Sequence, residues 1–401
     1  MPRKDQISYF YHPNIGRFNY NRDHPMKPVR LAAVHDLVTR FGLQEHMTCV
    51  ESPLASATDM KRFHTSEYID FLRTVTPRRA TLYKDQISEF NLNVDSPLVS
   101  GIFDFCSMYT GGTIAAAQRL NRKESEIAIN WSGGLHHAKR SAASGFCYVN
   151  DIVIGIIELL KRHERVLYID IDVHHGDGVE QAFANTDRVM TLSFHQYGRF
   201  FFPESGCMYD VGHGKGQFYA VNVPLKPGID DACYHALFKP IVRKAIEAYD
   251  PMVIVMQCGA DSLQDDELGG FNLTIDGHAE CVRFVKGFCI PMLVLGGGGY
   301  TPNNVAKCWT YETAVLIEKE QAIPRQIPAE SEYAAFFHPD YELRTINAER
   351  IEDLNTVQYM NAIRIFTESN LSLVKGPPSV QMRPIVEDYY DNDEIAKMYI
   401  G

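Results

Sequence analysis

The chain has 401 residues, 45% hydrophobic and 22% charged, with a formal net charge of -11 and a pI near 5.8. This composition suits a globular protein with a large core. The acidic balance argues against whole-molecule attraction to nucleic acid and favours a basic partner such as a Lys-rich tail. Nine cysteines without a C-x-x-C pair point to a reducing compartment and buried thiols. The start, Met-Pro-Arg-Lys-Asp, has no hydrophobic signal core. The longest apolar stretch, Ile152 to Leu160, contains Glu158 and is too short to span a bilayer. The expectation is a cytosolic or nuclear protein without a membrane anchor.

In chain order, Ile7 to Tyr11 reads as a first strand. His24-Pro-Met-Lys-Pro28 is a rigid turn that opens a helix. Thr58–His64 and Ser66–Val75 read as short amphipathic helices with Ser or Thr caps. Asp95-Ser-Pro97 is a loop, and a long helix spans Gly101 to Leu120 despite the paired Gly111-Gly112. From Glu126 onward strands and helices alternate. Strands are predicted at Glu126–Trp131, Val166–Ile171, Arg188–Phe194, Phe218–Val223, Met252–Gln257 and Met292–Leu295. Helices are predicted at Asp151–Leu160, Asp230–Tyr249, Thr274–Phe288 and after Pro302.

Such alternation predicts a doubly wound α/β fold with a central, mostly parallel sheet. No linker or repeat divides the chain. One domain over residues 1–378 is expected, followed by a short acidic tail, 379–401, holding the run Glu387 to Glu394.

Polar residues gather just after the strands, where such folds place their sites. The apolar run Val166–Ile171 leads into Asp170, Asp172 and His174. At i, i+2, i+4 these share one face of an extended chain and can converge on one divalent cation. Asp261, after Cys258-Gly-Ala, adds a third oxygen-bearing ligand, although it also suits a helix cap or turn. Asp172, His174 and Asp261 would leave a coordination position open, as catalytic zinc sites do. Iron(II), cobalt(II) or manganese(II) suit the same donors. His136 and His137 follow two glycines and could be surface residues or a pair beside the metal. Asp170 and Asp177 could each fix one imidazole tautomer. Tyr300 ends a run of four glycines; it is either a packed aromatic or a donor to a developing oxyanion. Phe146 and Phe202 could wall a narrow tunnel or simply belong to the core.

Five segments carry a resemblance: Asn130-Trp-Ser-Gly-Gly-Leu-His-His137, Ala143-Ser-Gly-Phe-Cys-Tyr-Val-Asn-Asp151, Asp170-Ile-Asp-Val-His-His-Gly-Asp-Gly178, Gln257-Cys-Gly-Ala-Asp-Ser262 and Leu295-Gly-Gly-Gly-Gly-Tyr-Thr301. Together they resemble the zinc-dependent histone deacetylases, closest to class I. Phe201-Phe-Pro and Met208-Tyr-Asp-Val-Gly are similar to its type-3 branch. The likeness runs from about Ile7 to about Gln381.

The resemblance implies a single-domain three-layer α/β/α fold of the arginase/deacetylase type. It also implies hydrolysis of acetyl-lysine in histone tails or other proteins, in chromatin silencing and transcriptional repression. Zn²⁺ would be held by Asp172, His174 and Asp261. His137, backed by Asp177, would be general base and then acid, and His136 with Asp170 an electrostatic partner. Tyr300 would polarise the acetamide carbonyl. Gly145, Phe146 and Phe202 would line the substrate tunnel, with Leu268 and Asp95 at its rim. Gly298 would also contact substrate, and Arg30 would lie behind the metal. K⁺ would occupy one site at Asp170, Asp172, His174, Ser193 and Phe194, and another at Phe183, Thr186, Val189 and Tyr219. A corepressor complex and a location in the nucleus or cytoplasm are implied too.

Some positions depart from the family. Lys27 matches its inositol-phosphate site, but Asn19, Asp23, Glu267 and Asn303 stand at the other positions. Asp23 and Glu267 would repel phosphate, which makes inositol-phosphate activation doubtful. Pro203-Glu-Ser-Gly-Cys207 replaces the usual Pro-Gly-Thr-Gly-Asp and implies a different rim. The same hydrolysis on another acyl-lysine or an acetylpolyamine, or a non-catalytic scaffold role, are the competing functions.

Overall fold

The computed structural model describes residues 6–92 and 94–375. The acidic tail expected at 379–401 lies outside the described residues. Eight strands form one sheet: β1 (Ile7–Tyr11), β2 (Thr48–Glu51), β3 (Ile127–Asn130), β4 (Val166–Asp170), β5 (Val189–Gln196), β6 (Ala220–Leu225), β7 (Val253–Gln257) and β8 (Met292–Leu295). Their order is β2-β1-β3-β8-β7-β4-β5-β6, and every pairing is parallel. Every residue of β3, β4, β7 and β8 is buried. Strands of that kind need both sheet faces covered by helices.

The helices are α1 (Val29–Arg40), α2 (Ala57–Met60), α3 (Ser66–Thr74), α4 (Lys84–Glu89), α5 (Ile102–Asn121), α6 (Asp151–Leu159), α7 (Asp177–Phe183), α8 (Asp231–Tyr249), α9 (Ile275–Lys286), α10 (Pro302–Leu316) and α11 (Val357–Leu371). α1, α10, α9, α8 and α11 pack in a row, while α5 and α6 pack together over β1, β3, β8 and β7. Side-chain caps fix where several begin. Asn150, Asp230, Thr274 and Thr356 each accept a bond from the amide three residues on. Gly111 is tolerated inside α5 because a Cβ there would meet the Pro53 carbonyl oxygen at 1.9 Å, so the glycine permits close packing. No helix among the described residues is long and apolar enough to cross a membrane.

Consecutive strands β3 and β4 are separated in the sheet by β8 and β7. Their last residues are level: Asn130 pairs with Leu295, Leu295 with Gln257, and Gln257 with Asp170. Four loops therefore leave one row of strand ends side by side, at a reversal of strand order that favours a binding crevice.

Most expected strands and helices stand within two residues of their predicted bounds. Two local expectations are overturned. The helix expected at Thr58–His64 is cut short: α2 runs Ala57–Met60, and His64 leaves to accept the Asn150 amide at 2.9 Å. The extended chain does not continue through His174. β4 stops at Asp170, whose Oδ1 accepts the Asp172 amide at 3.1 Å, and Asp172 Oδ1 accepts the His174 amide at 3.0 Å. The carboxylates bend the backbone into turns, as Asx residues do. β2, α4, α7 and α11 were not anticipated.

Candidate active site

Asp172, His174 and Asp261 are buried, and one ligand atom from each lies within 4.8 Å of the others. Both carboxylates are anchored by protein donors. Asp172 Oδ2 accepts from Gln257 Nε2 and the Gly298 amide, both at 2.8 Å, and Asp261 Oδ1 accepts from the Val173 amide at 2.9 Å. Asp172 Oδ1, which also accepts the His174 amide, and Asp261 Oδ2 face His174 Nδ1 at 3.2 and 3.1 Å. These donors fit a divalent cation: two carboxylate oxygens and one imidazole nitrogen converge, with the far oxygen of each carboxylate held by protein donors. The glycine run serves this packing. A Cβ on Gly298 would meet Asp261 Oδ2 at 1.9 Å and Asp172 Oδ2 at 3.0 Å.

The charges imply coupled proton release. Burial, then the neighbouring Asp172, push the Asp261 carboxyl up to about 7. Burial opposes the charge on His174, but its hydrogen bonds to the Asp172 and Asp261 carboxylates raise it to about 10. Below these values the empty site holds protons that a cation must displace. Metal affinity should therefore rise with pH through neutrality, about tenfold per pH unit for each proton displaced. Calorimetric titration in buffers of different ionisation enthalpy measures that release. An affinity that does not change with pH would contradict it.

The adjacent imidazoles differ. His136 Nδ1 donates to Asp170 Oδ2 at 2.8 Å, and the Tyr168 hydroxyl donates to the same oxygen at 2.5 Å. Burial opposes charge on His136, but Asp172 and Asp170 outweigh it and raise the group to about 9. His137 Nδ1 donates to Asp177 Oδ1 at 2.8 Å. Burial and the neighbouring His136 push His137 down to about 3, against the pull of Asp177. One imidazole is thus charged and its neighbour neutral near pH 7.

Above these groups opens a cavity of about 270 Å³, lined by Asp95, His137, Gly145, Phe146, His174, Phe201, Phe202, Leu268 and Tyr300. Phe202 meets His137 edge-on with centroids 4.9 Å apart, and Phe146 meets Tyr300 at 5.6 Å. Gly145 has φ +50°, and a Cβ there would come within 2.5 Å of His137 and 2.8 Å of Phe202. A side chain at that position would fill the tunnel wall. Burial, then Asp261 and Asp172, hold the Tyr300 hydroxyl well above its ordinary pKa, so it remains a donor.

Every tunnel and rim residue expected from sequence lines this cavity except Gly298, which lies beneath it with its amide on Asp172. Arg30 is buried behind the site and donates to the carbonyls of Gly297, at 2.5 Å, and Gly299. Ser193 pairs with Asp170 across β5 and β4, with Phe194 next along the strand. Phe183 ends α7 and Val189 begins β5, with Thr186 between them. Tyr219 precedes β6, and its carbonyl accepts the Thr191 amide at 2.9 Å.

Several contributors escaped the sequence reading. Asp151 accepts the amides of Gly134 and Leu135 and the Thr113 hydroxyl, and Asn150 donates to the carbonyls of His136 and Ala138. Together they shape the loop carrying both imidazoles. Lys139 ion-pairs with Asp177. Asp266 accepts the Tyr300 amide at 2.7 Å. Phe201 stacks on His174 at 5.2 Å. The Asn150-Asp151 doublet at a predicted helix start was the one available signal; the others depend on tertiary contact.

A parallel α/β sheet with a buried two-Asp, one-His cluster, two His–Asp pairs and a tyrosine beneath an aromatic-walled cavity defines a hydrolase-type site. Comparison supplies the family. The histone deacetylase domain model matches residues 24–316. The chain is 51% identical over 398 residues to histone deacetylase 9 of Arabidopsis thaliana, covering 98% of this chain and 92% of that protein. It is 50% identical over 390 residues to the probable histone deacetylase 1-B of Xenopus laevis, covering 97% and 80%. It is also 50% identical over 385 residues to histone deacetylase 1 of Bos taurus, covering 96% and 79%. The chain belongs to the histone deacetylase family, and its similarity to these relatives is that of a class I member.

Proposed function

We propose that the protein hydrolyses the acetamide of Nε-acetyl-lysine in histone tails, releasing lysine and acetate. The observation that carries this reading is the convergence of Asp172, His174 and Asp261 with His137 and Tyr300 at one aromatic-walled cavity. Asp172, His174 and Asp261 would hold Zn²⁺, which when bound lowers the pKa of water towards about 7 and polarises a carbonyl.

The chain's own residues supply the remaining steps. The aromatic walls exclude water and admit a neutral acyl-lysine more readily than a charged lysine, because desolvating the ammonium is costly. Asp95 and Leu268 at the mouth orient the peptide. Neutral His137 takes the proton from the attacking water through Nε2, while Asp177 fixes Nδ1 as the protonated nitrogen. The same nitrogen then returns a proton to the departing amine. His136, kept charged beside Asp170, stabilises the negative charge that develops. The Tyr300 hydroxyl donates to the oxyanion. The two residue sets around β5 would hold K⁺. The net charge of -11 favours Lys-rich histone tails. This fits a nuclear role in repression, within a corepressor complex.

Steady-state turnover of an acetyl-lysine peptide, a longer acyl-lysine peptide and an acetylpolyamine tests the substrate class. The acetyl-lysine peptide should have the highest kcat/KM. A preference for the polyamine would overturn the histone assignment while leaving the hydrolytic site intact.

A further inference from the structure

One buried cluster takes no part in these steps. His278 on α9 and Cys308 and Glu312 on α10 are fully buried and bring donor atoms within 4.8 Å of one another. His278 Nδ1 lies 2.5 Å from Glu312 Oε1, and Cys308 Sγ is 3.5 Å from the same nitrogen. His278 Nε2 lies 2.9 Å from the carbonyl oxygen of Gly259. A carbonyl can only accept, so Nε2 carries a hydrogen. A carboxylate at Nδ1 also accepts, so the ring is most simply an imidazolium paired with Glu312. With both ring nitrogens occupied, the cluster is not set up to hold a second metal.

A buried ion pair is a weak stabiliser, because desolvation offsets much of the attraction. What the pair holds is more informative. Gly259 lies two residues before Asp261. Its amide donates to Gln257 Oε1 at 2.7 Å, and Gln257 Nε2 donates to Asp172. The preceding carbonyl, of Cys258, accepts from Trp309 Nε1 at 2.7 Å, again from α10. The following amide, of Ala260, donates to the Gly298 carbonyl at 3.0 Å. The Gly259 carbonyl also receives the Ser262 hydroxyl, at the longer distance of 3.3 Å, and Gly259 opens the short 3-10 turn Ala260–Ser262 that carries Asp261. A Cβ on Gly259 would lie 2.0 Å from Asp172 Oδ2, so this turn is pressed directly against a candidate ligand. The turn thus borders Asp172 and carries Asp261.

We propose that His278 and Glu312 are positioning residues for the metal centre: by fixing the Gly259 carbonyl, they hold the Cys258–Asp261 turn where Asp261 can join Asp172 and His174 on one cation. This rests on Asp261 being a metal ligand. Neither residue touches substrate or the reacting atoms.

The test is the rate at which zinc-loaded protein releases Zn²⁺ to a chromogenic chelator, with thermal unfolding of the metal-free protein measured alongside. Removing one partner alone would strand a buried charge, so the informative variant is the double replacement His278→Leu with Glu312→Leu. It should release zinc about 10–100-fold faster than the parent, as loss of outer supports to metal ligands does, while unfolding at a similar temperature. Glu312→Gln should release zinc at close to the parental rate, because a neutral His278 still donates through Nε2. Parental release from the double Leu variant would overturn the proposal. Should that variant fail to fold, His278→Gln and His278→Met, each combined with Glu312→Gln, make the same comparison. The Gln variant keeps a donor and should hold zinc longer, and equal rates would overturn the proposal. Asp261→Ala is the control. If it releases zinc no faster than the parent, Asp261 is not a ligand, and the proposal falls with that assignment.

Discussion

His137→Ala lowers kcat by about 10²–10⁴, the usual contribution of a positioned general acid–base, and leaves metal content unchanged. The size of the effect follows from the division of labour between adjacent imidazoles. His137 is buried against Phe202, oriented by Asp177, and kept neutral by burial and by its charged neighbour His136. It is therefore the ring with a free lone pair near pH 7. His136 is raised to about 9 by carboxylates that overcome its burial, and it cannot take over as a base. His137 supplies none of the three atoms facing the metal position, so its loss should not release the ion. Steady-state kinetics with metal analysis on the same sample check both halves. Activity within a few-fold of the parent would remove His137 from its role.

Tyr300→Phe lowers kcat by about 10²–10³, the usual cost of losing one oxyanion donor, with little change in KM. The ring still packs against Phe146, and its backbone remains tied to Asp266. Only the hydroxyl is lost, and in the parent it stays protonated because burial and two carboxylates disfavour its anion. An interaction made mainly in the transition state lowers kcat and kcat/KM together. A rise in KM with kcat preserved would instead mean that Tyr300 only packs against substrate.

Much of the site was legible because strand ends in a parallel sheet are predictable places for chemistry. Short apolar runs marked β4, β7 and β8, and the polar clusters after them did meet. What sequence could not supply was the path of the backbone between those clusters. Asp170 and Asp172 bend the chain by accepting its own amides, so the convergence with His174 owes nothing to the two-residue strand period. The four glycines before Tyr300 serve the packing of the site itself: at Gly298 the close neighbours are the protein's own Asp261 and Asp172. Asp266, Lys139 and the His278–Glu312 pair act through contacts between distant segments, and no local pattern announces those. β2 was missed because a four-residue, partly exposed edge strand carries little periodic signal.

The most direct test of the account is release of lysine from an acetylated histone-tail peptide by the purified protein, with bound metal quantified in the same sample. The expected result is turnover with about one Zn²⁺ per chain, as a three-ligand catalytic site requires, and loss of turnover when the metal is stripped by a chelator. A well-folded protein that binds no metal and releases no lysine would contradict it.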